Sequence, residues 1–256
     1  MTQPVSLSPR ERARVITLDR AILSGLRHWL FIINLLFGIF VGLPWLAPVF
    51  MQTGQVGPAR TIYLIYSTQC HQLPQRSFFL FGAKSSYSLA EIQAAWQDTN
   101  NPYILRQFIG NTEMGWKVAW SDRMVSMYTS IFIGGLLRAA WPFRRRLKSL
   151  SFWAFGLLAI APMLLDGGTH MVSDLAGLGH GFRDSNVWLA WLTGSVLPPT
   201  FYAGDALGSF NSWMRLLTGT LFGVGVVWLA YPYLEQGMHE TAEMLEAKLR
   251  GAGVLV

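Results

Sequence analysis

From Trp29 to Phe50 the chain carries no ionisable side chain, and nothing else in the sequence restricts its fold so severely. A bilayer core offers backbone groups no water, so what crosses it is a helix of about 20 apolar residues whose hydrogen bonds close internally. Three more runs approach this standard. Residues 124–143 are interrupted only by Arg138, near enough to the end to snorkel. Residues 150–165 are slightly short, and residues 216–234 carry Gly219, Gly223 and Gly225, which suit close helix packing. The expected fold is all-α: a polytopic integral membrane helical bundle of about four transmembrane helices (29–50, 124–143, 150–165, 216–234) plus interfacial helices. The first run is too long and starts too late for a cleaved signal peptide.

Composition agrees. Of the 256 residues 52% are hydrophobic and 13% charged, against about 25% charged in an ordinary soluble domain. Eleven tryptophans suit a protein with two interfaces to anchor. The net charge of +6 does not point to nucleic acid, because the basic residues border apolar runs instead of interleaving with exposed aromatics. Arg10, Arg12, Arg14, Arg20 and Arg27 precede the first run. Arg144, Arg145, Arg146 and Lys148 separate the second from the third, and Lys248 and Arg250 follow the last. Four crossings place all of these on one side, which the positive-inside rule makes cytoplasmic. The expected location is the inner (plasma) membrane, multi-pass, with both termini cytoplasmic and residues 51–123 and 166–215 outside. Residues 186–204 contain Pro198 and Pro199 and read as interfacial or re-entrant. Residues 1–28, with Val15, Leu18, Ile22 and Leu26 on one stripe, read as an amphipathic helix on the inner leaflet or as a docking helix. The tail 235–256 reads as a surface helix.

The outer segments hold the groups that could carry chemistry. Arg123, Asp166 and Arg215 stand at the ends of three runs, where charges either anchor and cap helices or pair around a polar pocket. Between the first two runs lie Cys70, His71, Gln72 and Arg76. A single cysteine excludes an intrachain disulfide and any zinc site built on cysteine pairs. Cys70 and His71, joined by His170 or His180, are candidate ligands for zinc or copper; a hydrogen-bonded structural knot is the other reading. Asp166 and His170 share a face only if the helix continues through Gly167 and Gly168, which their low helix propensity disfavours. Asp174 is expected in a hydrated loop.

Cys70-His71-Gln72 with Arg76-Ser77-Phe78-Phe79, then Asp122-Arg123 to Tyr128, Asp166-Gly167-Gly168-Thr169 and Arg215 to Gly219 follow an order that resembles a prokaryotic membrane family, domain of unknown function 2085. The resemblance covers about Tyr66 to Pro232 and adds Thr169 to the candidate ligand-binding set of Cys70, His71, Gln72, Arg76, Arg123, Asp166, His170 and Arg215. It implies no established activity. Ser121 and Met124 stand where many members carry cysteines, and His170 where Gln is usual, which favours a ligand pocket over cysteine chemistry.

Two functions follow as expectations. One is an outward-facing polar pocket for a lipid headgroup, small ligand or metal. The other is an accessory or assembly subunit of a larger membrane complex. A transporter ranks below both, since no run carries a charge near its midplane.

Overall fold

The computed structural model describes residues 8–140 and 147–254. Arg144, Arg145 and Arg146, the end of the 124–143 run, the first seven residues of the 1–28 segment and the last two of the tail lie outside them. The chain opens with α1 (Pro9–Arg27), whose N-terminus is closed by a Ser8/Glu11 capping box. After His28 it continues as α2 (Trp29–Gln52), α3 (Val56–Tyr66) and a short 3₁₀ turn, Pro74–Arg76. Strand β1 (Ser77–Leu80), helices α4 (Leu89–Ala95) and α5 (Pro102–Leu105), and strands β2 (Gly110–Asn111) and β3 (Gly115–Ser121) lead directly into α6 (Asp122–Ala140). Then come α7 (Phe152–Phe155), a π turn over Gly156–Ile160, and α8 (Ala161–Asp174) as one continuous rod, followed by the short α9 (Phe182–Ser185), α10 (Val187–Leu192) and α11 (Pro199–Tyr202). Helix α12 (Phe210–Gly251) ends the chain.

Among the described residues three helices are long and apolar enough to cross a membrane: Trp29–Gln52, Phe152–Asp174 and Phe210–Gly251. The fold is mostly helical, but the all-α expectation needs correcting. Strands β1, β3 and β2 form an antiparallel sheet in that order, with Ser77 opposite Ser121 and Leu80 opposite Trp116. The sheet turns on Gly115, at φ +75°, where a Cβ would lie 2.2 Å from the Leu80 carbonyl oxygen. Tyr63, Tyr66, Val118 and Trp120 pack the sheet onto α2 and α3.

Two further expectations fail. Helix α8 does run through Gly167 and Gly168 to Asp174. The tail is no separate surface helix: α12 continues unbroken for 42 residues, about 63 Å at 1.5 Å per residue, twice a bilayer core. Its distal half is partnered by α1, through Leu23 against Ala242 and Leu249, a Lys248–Asp19 ion pair at 2.7 Å and an Arg27–Glu246 pair at 2.8 Å. Both described termini therefore lie together at one end of the bundle. Residues 186–204 form helices too short to cross a bilayer.

Candidate functional site

At the other end, the β3–α6 junction, the N-terminus of α12 and the C-terminus of α8 bring acidic and basic side chains into two ion-pair networks. In the first, the signs alternate along five residues. Arg76 holds Asp174 with Nη2 at 2.8 Å and Asp205 with Nε at 2.7 Å. Arg215 takes the other oxygen of Asp205 at 2.6 Å and grips Asp122 at 2.7 Å. In the second, Asp166 lies between Arg123 and Arg183, each at 2.7 Å. Four arginines meet four aspartates, so burial leaves no net charge uncompensated. Burial alone would raise the pKa of Asp205, but Arg76 and Arg215 hold it well below the usual carboxylate range.

The expected Arg123–Asp166 pair is present, whereas Arg215 belongs to the other network and Arg183 takes its place. Asp174 is not in a hydrated loop; it is the bidentate partner of Arg76. Gly167 explains why α8 tolerates glycine here, since a Cβ would lie 2.7 Å from Arg123 Nη1. Thr169 donates to the Leu165 and Asp166 carbonyls and supports Arg183 at 3.5 Å.

Cys70, Gln72 and Lys117 form a separate knot. Cys70 Sγ accepts the backbone N–H groups of Gln72 and Ser121, each at 3.4 Å, and donates to Ser121 Oγ at 3.5 Å. Gln72, at φ +52°, turns the chain so that its Nε2 donates to the carbonyls of Tyr63 and Ala119, both at 3.0 Å. Lys117, fully buried, donates to the carbonyls of Gln72 at 2.8 Å and Arg106 at 3.0 Å. No carboxylate answers its charge in these bonds, and burial pushes its pKa down to about 7. The Tyr63 hydroxyl donates to Lys117's own carbonyl. Among the described residues no three His, Cys, Asp or Glu side chains gather as metal ligands, and His180 lies apart, beside Asn100.

A cavity of about 480 Å³ lies between the networks and the knot, lined among others by Cys70, His71, Arg76, Arg123, His170 and Arg215. Arg76 and Arg215 each use all three guanidinium nitrogens on partners. Arg123 does not: Nη2 bonds Asp166, while Nε is buried without a partner among the described residues. His170 Nε2 faces Arg183 Nη2 at 3.1 Å and, since a guanidinium only donates, must accept. The ring proton is therefore on Nδ1, which is buried and has no partner among the described residues. By the same reasoning His71 Nδ1 accepts from Leu73 N at 3.2 Å and Nε2 carries the proton. Desolvation, reinforced by Arg76, Arg215 and Arg123, holds the His71 pKa below the usual imidazole value, although its ring is exposed at the cavity wall. Two residues of the lining, Arg123 and His170, thus each hold a buried N–H without an acceptor among the described residues, while Asp174 brings a carboxylate to the same lining.

Sequence reading missed Arg183, Asp205 and Lys117. A charge count could have pointed to the first two, because clustered arginines at a membrane boundary require as many carboxylates.

An uncharacterized protein of Methanocaldococcus jannaschii is 25% identical to this chain over 179 residues, covering 67% of this chain and 86% of the relative. No solved structure matches the chain. Over residues 112–229, from the turn before β3 to the middle of α12, the chain matches the family described as predicted membrane protein, DUF2085; the match takes in the motifs from Asp122 to Gly219 and leaves Cys70 to Phe79 outside it.

Proposed function

We propose that this is a four-span protein of the plasma membrane, with cytoplasmic termini, whose outward-facing pocket binds a phosphate-type anion. The observation that carries the reading is the donor set: Arg123 Nε and His170 Nδ1, both buried, have no acceptor among the described residues, and both residues line one cavity. Leaving such groups unpaired costs about 1–3 kcal/mol each, and an anion accepting from both would recover that energy. The four-span topology rests on parity. Helix α1 packs against the end of α12, so the termini share a side and the number of crossings is even. Three helices are apolar enough to cross; α6, with 19 residues, spans about 28 Å and supplies the fourth. The basic residues of α1 place that side in the cytoplasm.

The test is melting of the purified protein in neutral detergent with and without phosphate-bearing ligands, both soluble and lipid-borne. At least one should raise the melting temperature, and Arg123→Gln and His71→Ala should each reduce the shift while Arg60→Gln leaves it intact. No shift with any phosphate probe would remove the reading.

The second reading, an accessory or assembly subunit, has its own observation. Helix α1 turns Leu23 to α12 but leaves Val15, Leu18 and Ile22 exposed at helical spacing. A native particle much larger than this chain after gentle solubilisation would favour it.

A further inference from the structure

We infer that a different cavity, separate from the anion pocket, binds a linear alkyl diamine or polyamine. It is a cleft of about 950 Å³ beside the ion-pair networks. One wall is drawn from residues 84–100 around α4, the other from residues 178–184 and 199–207 around α9 and α11. Two hydrogen bonds pin the walls together: Leu207 N donates to Ser86 Oγ at 2.9 Å, and Asn100 Nδ2 donates to His180 Nε2 at 3.0 Å. The sense of the second is fixed, because Asn100 Oδ1 already accepts from Gln93 Nε2 at 2.6 Å. The cleft is therefore formed before any ligand arrives, as small-molecule sites usually are.

Its charge is one-sided. Glu91, Asp98, Asp184 and Asp205 line it, against the single ammonium of Lys84. Lys84 pairs with Glu91, and Asp205 pairs with Arg76 and Arg215, which line the other cavity. Asp98 and Asp184 make no ion pair among the described residues; Asp184 accepts the Gly181 N–H at 2.9 Å. Carboxylates at a surface are ordinarily solvated and select nothing by themselves. The independent sign of a ligand is Gln75. It lines the cleft, is 2% exposed, and its Oε1 is buried with no donor among the described residues. A buried acceptor left without a donor is destabilising, and the cleft is the space from which an N–H can reach it.

The spacing of the acceptors selects the ligand. Gln75 belongs to the 3₁₀ turn, Asp98 follows α4 and Asp184 lies in α9, and among the described residues no three His, Cys, Asp or Glu side chains gather as metal ligands. One small ion cannot serve acceptors so placed. A chain with nitrogens at intervals can, and Leu89, Leu178 and Leu207 of the lining give its methylenes apolar cover. An ammonium carries three donors and no acceptor. One nitrogen donates to Gln75 Oε1 while another meets a carboxylate at the exposed rim. Neither this site nor the anion pocket requires the other.

The experiment is isothermal titration of purified full-length protein in neutral detergent with 1,4-diaminobutane, spermidine, 1,4-butanediol and calcium chloride. At least one of the amines should bind one per chain, at least about tenfold more tightly than calcium, and the diol should give no binding. Asp98→Asn, at an exposed position, should weaken the amine about threefold and leave the melting temperature unchanged. Gln75→Met should weaken it about tenfold; if that variant folds poorly, the Asp98 variant and the diol still decide. Glu113→Gln removes an exposed charge outside the cleft and should change nothing. Absence of binding by both amines overturns the inference. Calcium binding as tight as the amine means that the carboxylates read charge alone, and the amine assignment falls. Equal losses from Glu113→Gln and Asp98→Asn would place the attraction in the general field of that end and remove the cleft as a site.

Discussion

Asp166 neutralises two arginines at once, and its side chain is 2% exposed. Replacing it with Asn leaves Arg123 and Arg183 without a counter-charge in a buried setting, which costs about 3–5 kcal/mol. Asp174 differs: it is 28% exposed and Arg76 keeps Asp205 when it is lost, so solvent screening limits Asp174→Asn to about 1 kcal/mol. Melting in detergent should rank Asp166→Asn well below Asp174→Asn, and equal losses would show that the networks share their load. Lys117 gives a prediction in pH. Its folded pKa is lowered to about 7 from an ordinary 10.5. Below 7 both states hold the proton and the cost of burying an ammonium is felt in full. Between 7 and 10.5 the unfolded chain binds the proton that the folded chain has shed, so stability rises with pH by up to about 1.4 kcal/mol per unit. Urea midpoints measured from pH 7 to 10 should climb in the wild type, and the climb should be shallower in Lys117→Met. Parallel slopes would mean that the carbonyl cage holds a charged lysine. Cys70 was legible in the sequence as a knot and the pairing of Asp166 as the geometry that helix ends require, but the knot's other half, Lys117, was not: it lies 45 residues on from Gln72, whose carbonyl it bonds, and sequence offers no sign of the contact.

Helices α6 and α12 pack through glycines that the sequence already marked. At Gly223 an added Cβ would sit 2.3 Å from the Met127 carbonyl oxygen, and at Gly219 2.8 Å from that of Arg123. Gly223→Ala should therefore destabilise by about 1–3 kcal/mol through overpacking, despite the gain in helix propensity of about 1 kcal/mol. Gly237, on the same helix, meets nothing within 4 Å, so Gly237→Ala should show the propensity gain alone. Thermal melts of the two variants check this, and a Gly223→Ala protein as stable as Gly237→Ala would refute close packing of the pair. The long apolar helices were legible because their signal is local and lasts for twenty residues. The sheet was not. Strand β3 is buried along almost its whole length, so it shows no alternation of polar and apolar residues from which a strand could be read. Helix α8 was cut short in the reading for a related reason: propensity penalises Gly167 and Gly168, while the reason to keep Gly167 is a guanidinium that reaches it from another helix.

Across the whole molecule, the contacts that build the site join distant parts of the chain, Arg76 to Asp205 and Arg215 to Asp122 among them. The sequence could place Asp122 and Arg215 at one membrane boundary but could not pair them, and it did not single out Asp205. Sidedness, by contrast, is a global property that a few residues report. If α1 and the end of α12 lie in the cytoplasm, the loops at the other end face out. Exposed Gln97 and Ala176 mark those loops, exposed Arg250 marks the tail, and Arg145 belongs to the basic cluster that lies outside the described residues. The native thiol of Cys70 is buried and should stay silent, so single substitutions Gln97→Cys, Ala176→Cys, Arg145→Cys and Arg250→Cys each report one position. An impermeant maleimide added to intact cells should label the first two and spare the last two until the membrane is opened. Parity makes this result informative about α6. A three-crossing chain would put α1 and the end of α12 on opposite sides of the bilayer, where Leu23 could not touch Leu249 and Asp19 could not reach Lys248. Labelling of Arg250→Cys together with Gln97→Cys would break the four-span arrangement and, with it, the placement of the pocket at the outer leaflet. Labelling of Arg145→Cys and Arg250→Cys alone would keep four spans and invert them, moving the pocket to the cytoplasmic leaflet.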